Sequence, residues 1–504
     1  MEYRICGGGS GEKIAILLQQ RGIHFALPCG GRHRCGKCRV QVVSGRVSPV
    51  TEAERRWLAP DDLAKGVRLA CDCYLYGEGR IHLAAADEEI GVENAGPAFS
   101  AGVGEAAMII DLGTTTVVCR LVDRHSLVVL GEYSEFNCQR SFGADVISRI
   151  SAALRGDAAL LRDLQREQLR RILEQLRASC ALPQNAIREA VLVANTAELH
   201  LLTGADTRGL AAMPFLPAER FGCRRLDILP NISCYLPPVI GAYLGADITA
   251  GLLAAGMDGR ERRNLLFLDL GTNGEIVLQY GGHLLGCSAA AGPVFEGAGL
   301  YHGMAARPGA VYAVALIDGK LRCRTIGNQK AVGICGSGVI SLLAALLRCG
   351  AVDASGRLLQ TGHVLTSLLT QADGKPAIRL PDTDIVFTQA DIRCLQTAKA
   401  AIAAAIDCLL AETGVCVDQL DGMIIAGSFG AALDVQDARC IGLLPRSQTA
   451  ECCSLGNTAL HGATLLLEEE ARAEAQRLVS RCQVLELGGN SLFQKHFLSR
   501  MRFG

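Results

Sequence analysis

Two groups of residues in this 504-residue chain have types and spacings that could do chemistry. The first is Cys29, Cys35, Cys38 and Cys71, spaced C-x5-C-x2-C-x32-C within the texts PCGGRHRCGKC and RLACD. Four thiolates can close a tetrahedral zinc site or hold an iron–sulfur cluster. Structural zinc sites favour two C-x2-4-C knuckles, whereas here three candidates crowd one loop and the fourth comes from far along the chain. That asymmetry suits a [2Fe–2S] centre, with Gly30, Gly31 and Gly36 letting backbone N–H groups approach the sulfurs. Cys73, two residues beyond Cys71, is an alternative fourth ligand. Arg32, His33 and Arg34 form either a solvated loop tip or a partner contact.

The second group is an internal echo. Met108–Val118 reads MIIDLGTTTVV and Leu266–Val277 reads LFLDLGTNGEIV, with Asp111 and Asp269 lying 158 positions apart. Each is an apolar strand, then Asp-Leu-Gly-Thr, then a β-prone run. Gly113 lets the backbone approach a phosphate, and Thr114–Thr116 offer hydroxyl and N–H donors. Asp111 can hold a hydrated Mg²⁺, which takes one or two carboxylates with water and phosphate. One such loop is a weak signal; two are expected to face one another across a cleft between duplicated subdomains. At Gly422–Gly430, GMIIAGSFG, an apolar strand runs into Gly427-Ser428-Phe429-Gly430, a backbone able to cover an adenine or ribose. Gly333–Gly338, GICGSG, opens a helix, which makes Gly333, Gly336, Ser337 and Gly338 a candidate anion site.

These residues need elements to hold them. Ala15–Gly22 reads as a short helix before the cysteine loop and Arg39–Val43 as a strand after it. From about residue 106, short apolar runs alternate with Ala/Leu helices, the pattern of α/β architecture. The expected organisation is a cluster domain over 1–83, a linker over 84–105, two related α/β subdomains over 106–260 and 261–465, and a helix and tail over 466–504. The tail carries Phe493, Phe497 and Phe503.

Composition sets limits. A net charge of −1 excludes strong bulk attraction to nucleic acid. Apolar residues make up 49%, enough for a sizeable core rather than a disordered chain. The 22 cysteines are too dispersed for a small disulfide scaffold, and no secretory signal is visible, so the expectation is a cytoplasmic protein. The mean hydropathy of +0.24 raises a membrane question. The most apolar long stretch, Pro237–Gly256, carries Asp247 and two leading prolines, and reads as a buried helix rather than a span.

The first 80 or so residues resemble a ferredoxin domain of the plant and adrenodoxin type. The resemblance implies an α+β β-grasp fold and favours Cys71 over Cys73. The rest of the chain is similar to the superfamily of acetate and sugar kinases, heat-shock chaperone ATPases and actin. The two loops, the AGSFG strand end and the small-residue helices at Gly241–Gly256 and Gly456–Gly462 follow its order. That implies a duplicated α/β, ribonuclease H-like ATPase. Together the two halves resemble the reductive activators of corrinoid proteins, as do NCQRSFGADVISRI (Asn137–Ile150), ANTAELHLLTG (Ala194–Gly204), GPVFEGAGLYHGM (Gly292–Met304) and TQADIRCLQTAKAAI (Thr388–Ile402). One departure is the short linker, where family members often carry an extra middle domain.

The resemblance implies an ATP- and Mg²⁺-dependent enzyme that returns Co(II) to Co(I) in the corrinoid protein of a methyltransferase system. An upstream ferredoxin or flavin reductase supplies the electron, and a homodimer is left open. In that frame Thr114, Thr115, Gly271, Thr272 and Asn273 contact phosphates. Asp145 and Glu275 organise the attacking water, unless Asp145 caps the helix after it and Glu275 faces solvent from a strand. Gly427, Ser428 and Phe429 line the adenosine end. Alternatives are an ATP-driven donor to another low-potential acceptor, a small-molecule kinase with a ferredoxin appendage, and a redox-sensing interaction protein.

Overall fold

The computed structural model describes every residue except 1, 22, 24, 26–30, 32, 34–35, 37, 84–104, 261 and 428–431. The expected linker therefore lies outside the described residues, Glu105 apart. The chain divides into two units: Met1–Asp247 with Leu466–Arg472, and Ile248–Leu465 with Ala473–Gly504.

The first unit begins with a small antiparallel sheet. Its strands are β1 (Glu2–Lys13), β2 (Arg39–Val47), β3 (Val67–Leu69) and β4 (Tyr74–His82), in the order β1-β4-β2-β3. The helix Ile14–Gln20 places Ile14, Leu17 and Leu18 on one face, at the i, i+3, i+4 spacing that makes an apolar stripe. They share a core with Ile5, Val40, Leu75 and Ile81. A second helix, Glu52–Trp57, starts from a capping box in which Thr51 and Glu54 satisfy each other's backbone N–H groups. Glu54 is fully buried and does more than cap. Its carboxylate accepts from Arg68 Nε at 2.9 Å, Arg68 Nη2 at 2.7 Å and Leu69 N at 3.0 Å. This pins β3, the strand that leads into Cys71.

The rest of the first unit is a six-stranded sheet. The strands are β5 (Ala106–Leu112), β6 (Thr116–Asp123), β7 (Val129–Phe136), β8 (Ile187–Ala194), β9 (Cys223–Leu229) and β10 (Ile232–Leu236), ordered β7-β6-β5-β8-β10-β9. β5 pairs antiparallel with β6 and parallel with β8. The second unit repeats this plan. β11 (Leu265–Leu270) pairs antiparallel with β12 (Gly274–Tyr280), which pairs with β13 (His283–Ala289). On its other side β11 runs parallel to Gly422–Ala426, which runs parallel to Glu451–Gly456. Three antiparallel strands followed by parallel additions, twice, is the duplicated α/β architecture expected from the echo.

Two expectations need correction. Pro237–Gly256 is not one helix: only Ala246–Ala254 is helical. The two prolines lack N–H donors, and a Cβ on Gly245 would stand 2.4 Å from Asn195 Cα, so the preceding segment serves as a tightly packed loop. Nor is the end of the chain a plain tail. Ser491–Arg500 is a helix capped by Asn490, whose side chain accepts from Leu492 N and Phe493 N. Arg500 holds Asp407 through two contacts of 2.6 and 2.7 Å, and Phe503 is buried beneath. Asp407 lies on Gln389–Thr413, the described helix long and apolar enough to cross a membrane. Its most apolar stretch is 78% buried, the signature of a core helix. Lys399 on the same helix donates to Arg502 O at 2.5 Å, and burial brings its ammonium down to about 8.

Breaking the Glu54–Arg68 pair leaves a buried guanidinium uncompensated. Glu54→Ala is expected to cost about 3–5 kcal/mol. Trp57, the chain's single tryptophan, reports on this domain alone. Urea unfolding followed by its fluorescence measures the loss, and an unchanged midpoint would refute the role given to Glu54.

Candidate active site

At the cluster end, Cys29 and Cys35 lie outside the described residues, while Cys38 and Cys71 are described and buried. Their sulfurs are 3.3 Å apart. A tetrahedral metal with thiolate bonds of about 2.3 Å holds two sulfurs about 3.8 Å apart, so the pair would have to open by about 0.5 Å to ligate one metal. The hydrogen bond with Cys71 brings the Cys38 thiol down to about 7, against burial, which raises it. Cys73 differs: burial pushes its thiol up to about 11. Gly36 has φ +62°, and a Cβ there would meet Trp57 Cβ at 2.7 Å, so this turn needs glycine on both counts. Trp57 Nε1 also donates to His33 O at 3.2 Å. His33 Nδ1 stands 3.1 Å from Asp72 Oδ1 and its ring is one-third exposed, so the ring is paired rather than loose at a loop tip.

In the first unit, Asp111 is the penultimate residue of β5, opposite Val118 of β6 and Val193 of β8. The strand below it is completely buried, so Asp111 is the first carboxylate reached as the chain leaves the core. The hairpin then turns tightly, with Gly113 N donating to Thr116 O at 3.0 Å. Asn137 Nδ2 donates to Gly113 O at 2.9 Å, and Asn195 Nδ2 donates to Thr114 Oγ1 at 3.0 Å. Neither asparagine stands out as a site residue in the sequence. Asn195 is legible only as a helix cap, accepting from Glu198 N three residues on. Asp145 likewise caps Val146–Ala152, accepting from Ser148 N at 2.7 Å and Ser148 Oγ at 3.1 Å.

In the second unit, Asp269 is again penultimate on its strand, opposite Glu275 and Ala426. Gly271 N donates to Asn273 O at 2.9 Å, a turn one residue shorter than its counterpart. Thr272 Oγ1 donates to Glu296 Oε1 at 2.7 Å, which brings a further carboxylate to the loop from the GPVFEG stretch. Glu275 is half-buried and accepts from Ser288 Oγ at 3.3 Å, so it does not simply face solvent. Gly427 has φ +86°, and a Cβ on it would stand 2.8 Å from Asp269 Oδ1, so this backbone closes directly over the aspartate. Ser428 and Phe429 lie outside the described residues. Gly333, Gly336, Ser337 and Gly338 are all buried. A Cβ on Gly338 would lie 2.0 Å from Val311 O and one on Gly333 2.6 Å from Met304 Sδ, so these two glycines serve close packing of the helix Gly336–Arg348.

Similarity to known proteins follows the same division. Residues 9–76 match the 2Fe-2S iron–sulfur cluster binding domain. Residues 106–260 match the RACo middle region, and 263–504 match the C-terminal domain of RACo, the ASKHA domain. The half read as the first ATPase subdomain is thus the family's middle region. The corrinoid activation enzyme RamQ of Eubacterium limosum is 33% identical over 416 residues, covering 78% of this chain and 70% of RamQ. The [Co(II) methylated amine-specific corrinoid protein] reductase of Methanosarcina barkeri is 26% identical, covering 72% of this chain and 70% of its own. Among solved structures, a reductive activator for corrinoid, iron–sulfur protein superposes with a TM-score of 0.73 at 29% identity, covering 97% of this chain and 95% of the other. A ferredoxin-type domain joined to an ASKHA-type ATPase, with these relatives along its length, belongs to the RACo family, the reductive activators of corrinoid proteins.

Proposed function

We propose that this chain reactivates the corrinoid protein of a methyltransferase system by ATP-dependent reduction of Co(II) to Co(I). The observation that carries the reading is the buried Cys38–Cys71 pair at 3.3 Å in a ferredoxin-type domain on the same chain as two Asp-Leu-Gly-Thr hairpins. Cys29, Cys35, Cys38 and Cys71 would hold a [2Fe–2S] cluster, which supplies a one-electron donor at about −400 mV. Co(II) gains one electron and becomes Co(I), and an upstream ferredoxin- or flavin-type reductase replaces that electron.

This transfer runs uphill unless the acceptor is altered, which is the task assigned to ATP. In the first unit Asp111 would orient Mg²⁺ and Thr114 and Thr115 would hold phosphates; in the second, Asp269 and the pair Thr272 and Asn273 would offer the same groups. Gly427 would admit the nucleotide beside Asp269. Glu296, through its hydrogen bond to Thr272, would set that hydroxyl's direction. The nucleotide-bound chain would bind the Co(II) protein and weaken the lower axial ligation of cobalt, making reduction easier. A state change of this kind works only through differential affinity for the two cobalt states.

The decisive experiment mixes the cluster-loaded protein, reductant, a Co(II) corrinoid protein and Mg-ATP anaerobically and follows the Co(I) absorption band. Omitting ATP is expected to slow Co(I) formation at least tenfold; equal rates with and without ATP would sink the coupling. Cys71→Ser is expected to abolish the cluster's visible spectrum and Co(I) formation while ATP still binds. Cys73→Ser is expected to keep both, and the reverse pattern would exchange the two assignments. Gly427→Ala forces a Cβ onto Asp269 at a left-handed backbone position, which costs about 1–2 kcal/mol on its own. The expected result is at least a tenfold weaker affinity for Mg-ATP by calorimetry, and wild-type affinity would remove Gly427 from the site.

A further inference from the structure

Two stretches far apart in sequence, Asn137–Ile150 and Ala194–Gly204, converge beneath the first hairpin. We infer that the buried Arg149, clamped by Glu198, is the positioning residue that presets the Gly113–Thr115 loop for a nucleotide phosphate. The inference rests on the ATP-binding reading above and adds a residue to it.

Arg149 and Glu198 are both fully buried, and Arg149 Nη1 lies 2.5 Å from Glu198 Oε1. Arg149 Nε donates to Gly143 O at 3.1 Å, and Nη2 donates to Thr114 O. Asn137 completes the pattern: its Nδ2 donates to Gly113 O and its backbone N donates to Thr115 O, both at 2.9 Å. Three consecutive carbonyls of the loop are therefore tied from behind. In a planar trans peptide the N–H points opposite to the C=O. Tying Gly113 O, Thr114 O and Thr115 O inward thus aims the N–H groups of Thr114, Thr115 and Thr116 the other way. Successive N–H groups directed to one side form an anion-binding concavity.

The side chain has to be arginine for a geometric reason. One planar fork reaches Glu198, Gly143 O and Thr114 O at once, which a lysine ammonium on a flexible stem does not reproduce. Stability alone does not explain the pair. Replacing a buried ion pair with apolar residues of similar volume is often neutral or stabilising. Glu198 itself lies on Thr196–Thr203, the helix capped by Asn195, and Asn195 holds the Thr114 hydroxyl. One helix start therefore fixes both the clamp on Arg149 and the side chain of the loop.

The test compares Mg-ATP affinity of the full-length, cluster-loaded protein with Arg149→Lys and with the double variant Arg149→Met/Glu198→Leu. The double variant removes both buried charges together. Both variants are expected to bind Mg-ATP at least tenfold more weakly. The ATP concentration for half-maximal Co(I) formation should rise by the same factor, with the visible spectrum of the cluster domain unchanged. Arg149→Lys keeps the charge pair, so it gives the answer if the double variant does not fold. Wild-type affinity in a folded variant overturns the positioning role and leaves the ATP reading standing. Absence of Mg-ATP binding by the wild-type protein overturns both.

Discussion

Both Asp-Leu-Gly-Thr hairpins depend on one constraint: a strand covered on both faces carries polar side chains only where it leaves the core. β5 runs through Met108, Ile109 and Ile110 with no exposure, and β11 runs through Leu266, Phe267 and Leu268 in the same way. Such strands read as continuous apolar runs because layers cover the sheet on both sides. A carboxylate placed earlier would be a buried, unpaired charge. Asp111 and Asp269 therefore stand at the penultimate positions, and the functional hairpin follows at once. Open α/β sheets place ligands outside the carboxyl ends of their parallel strands for this reason. The parallel partners β8 and Gly422–Ala426 end at the same level and deliver Asn195 and Gly427 to the two loops.

The two hairpins are related but are not copies. The first is held by asparagine and arginine side chains that approach its carbonyls from below. The second is one residue tighter and is bounded by Gly427 and the carboxylate of Glu296. A duplicated fold thus offers two environments for one motif. The first loop's N–H groups are aimed outward by a polar network, and the second presents a carboxylate and a hydroxyl fixed to each other.

Local signals were legible in the sequence, and remote ones were not. The hairpins, the cysteine loop and the duplication are written in short contiguous texts with steric reasons for each residue type. Asn137, Asn195 and Arg149 are common polar residues whose roles arise only when β5, β8 and two helices meet. Cys71 and Cys73 are equivalent by spacing, but the fold sets one beside Cys38 and the other into the core. The stretch Pro237–Gly256 misleads because composition reports burial, not periodicity; prolines and a steric limit at Gly245 make most of it a packed loop. The terminal helix carried a readable signal, Asn490 followed by Phe493 and Phe497 at helical spacing, which the aromatic content of a short segment obscures.

The many cysteines pose a selectivity problem that burial resolves for part of them. A chain rich in thiols offers many wrong ligands to iron, and the thiolate is the form that binds. Outside the cluster domain, burial pushes Cys138 and Cys234 up to about 12, and Cys119 and Cys287 upward as well. Such thiols stay protonated at neutral pH and lie inside cores that a metal ion does not enter. Among the described residues no three Cys, His, Asp or Glu side chains gather in a metal-binding arrangement. Cys38 moves in the opposite direction, to about 7, because a second sulfur stands within hydrogen-bonding distance. Cysteine content therefore says little about where iron goes. What distinguishes the cluster loop is a close pair of sulfurs beside a turn that Gly36 and Trp57 pack, with β3 pinned by Glu54, so the small domain's packing and its ligand chemistry are set by the same few contacts.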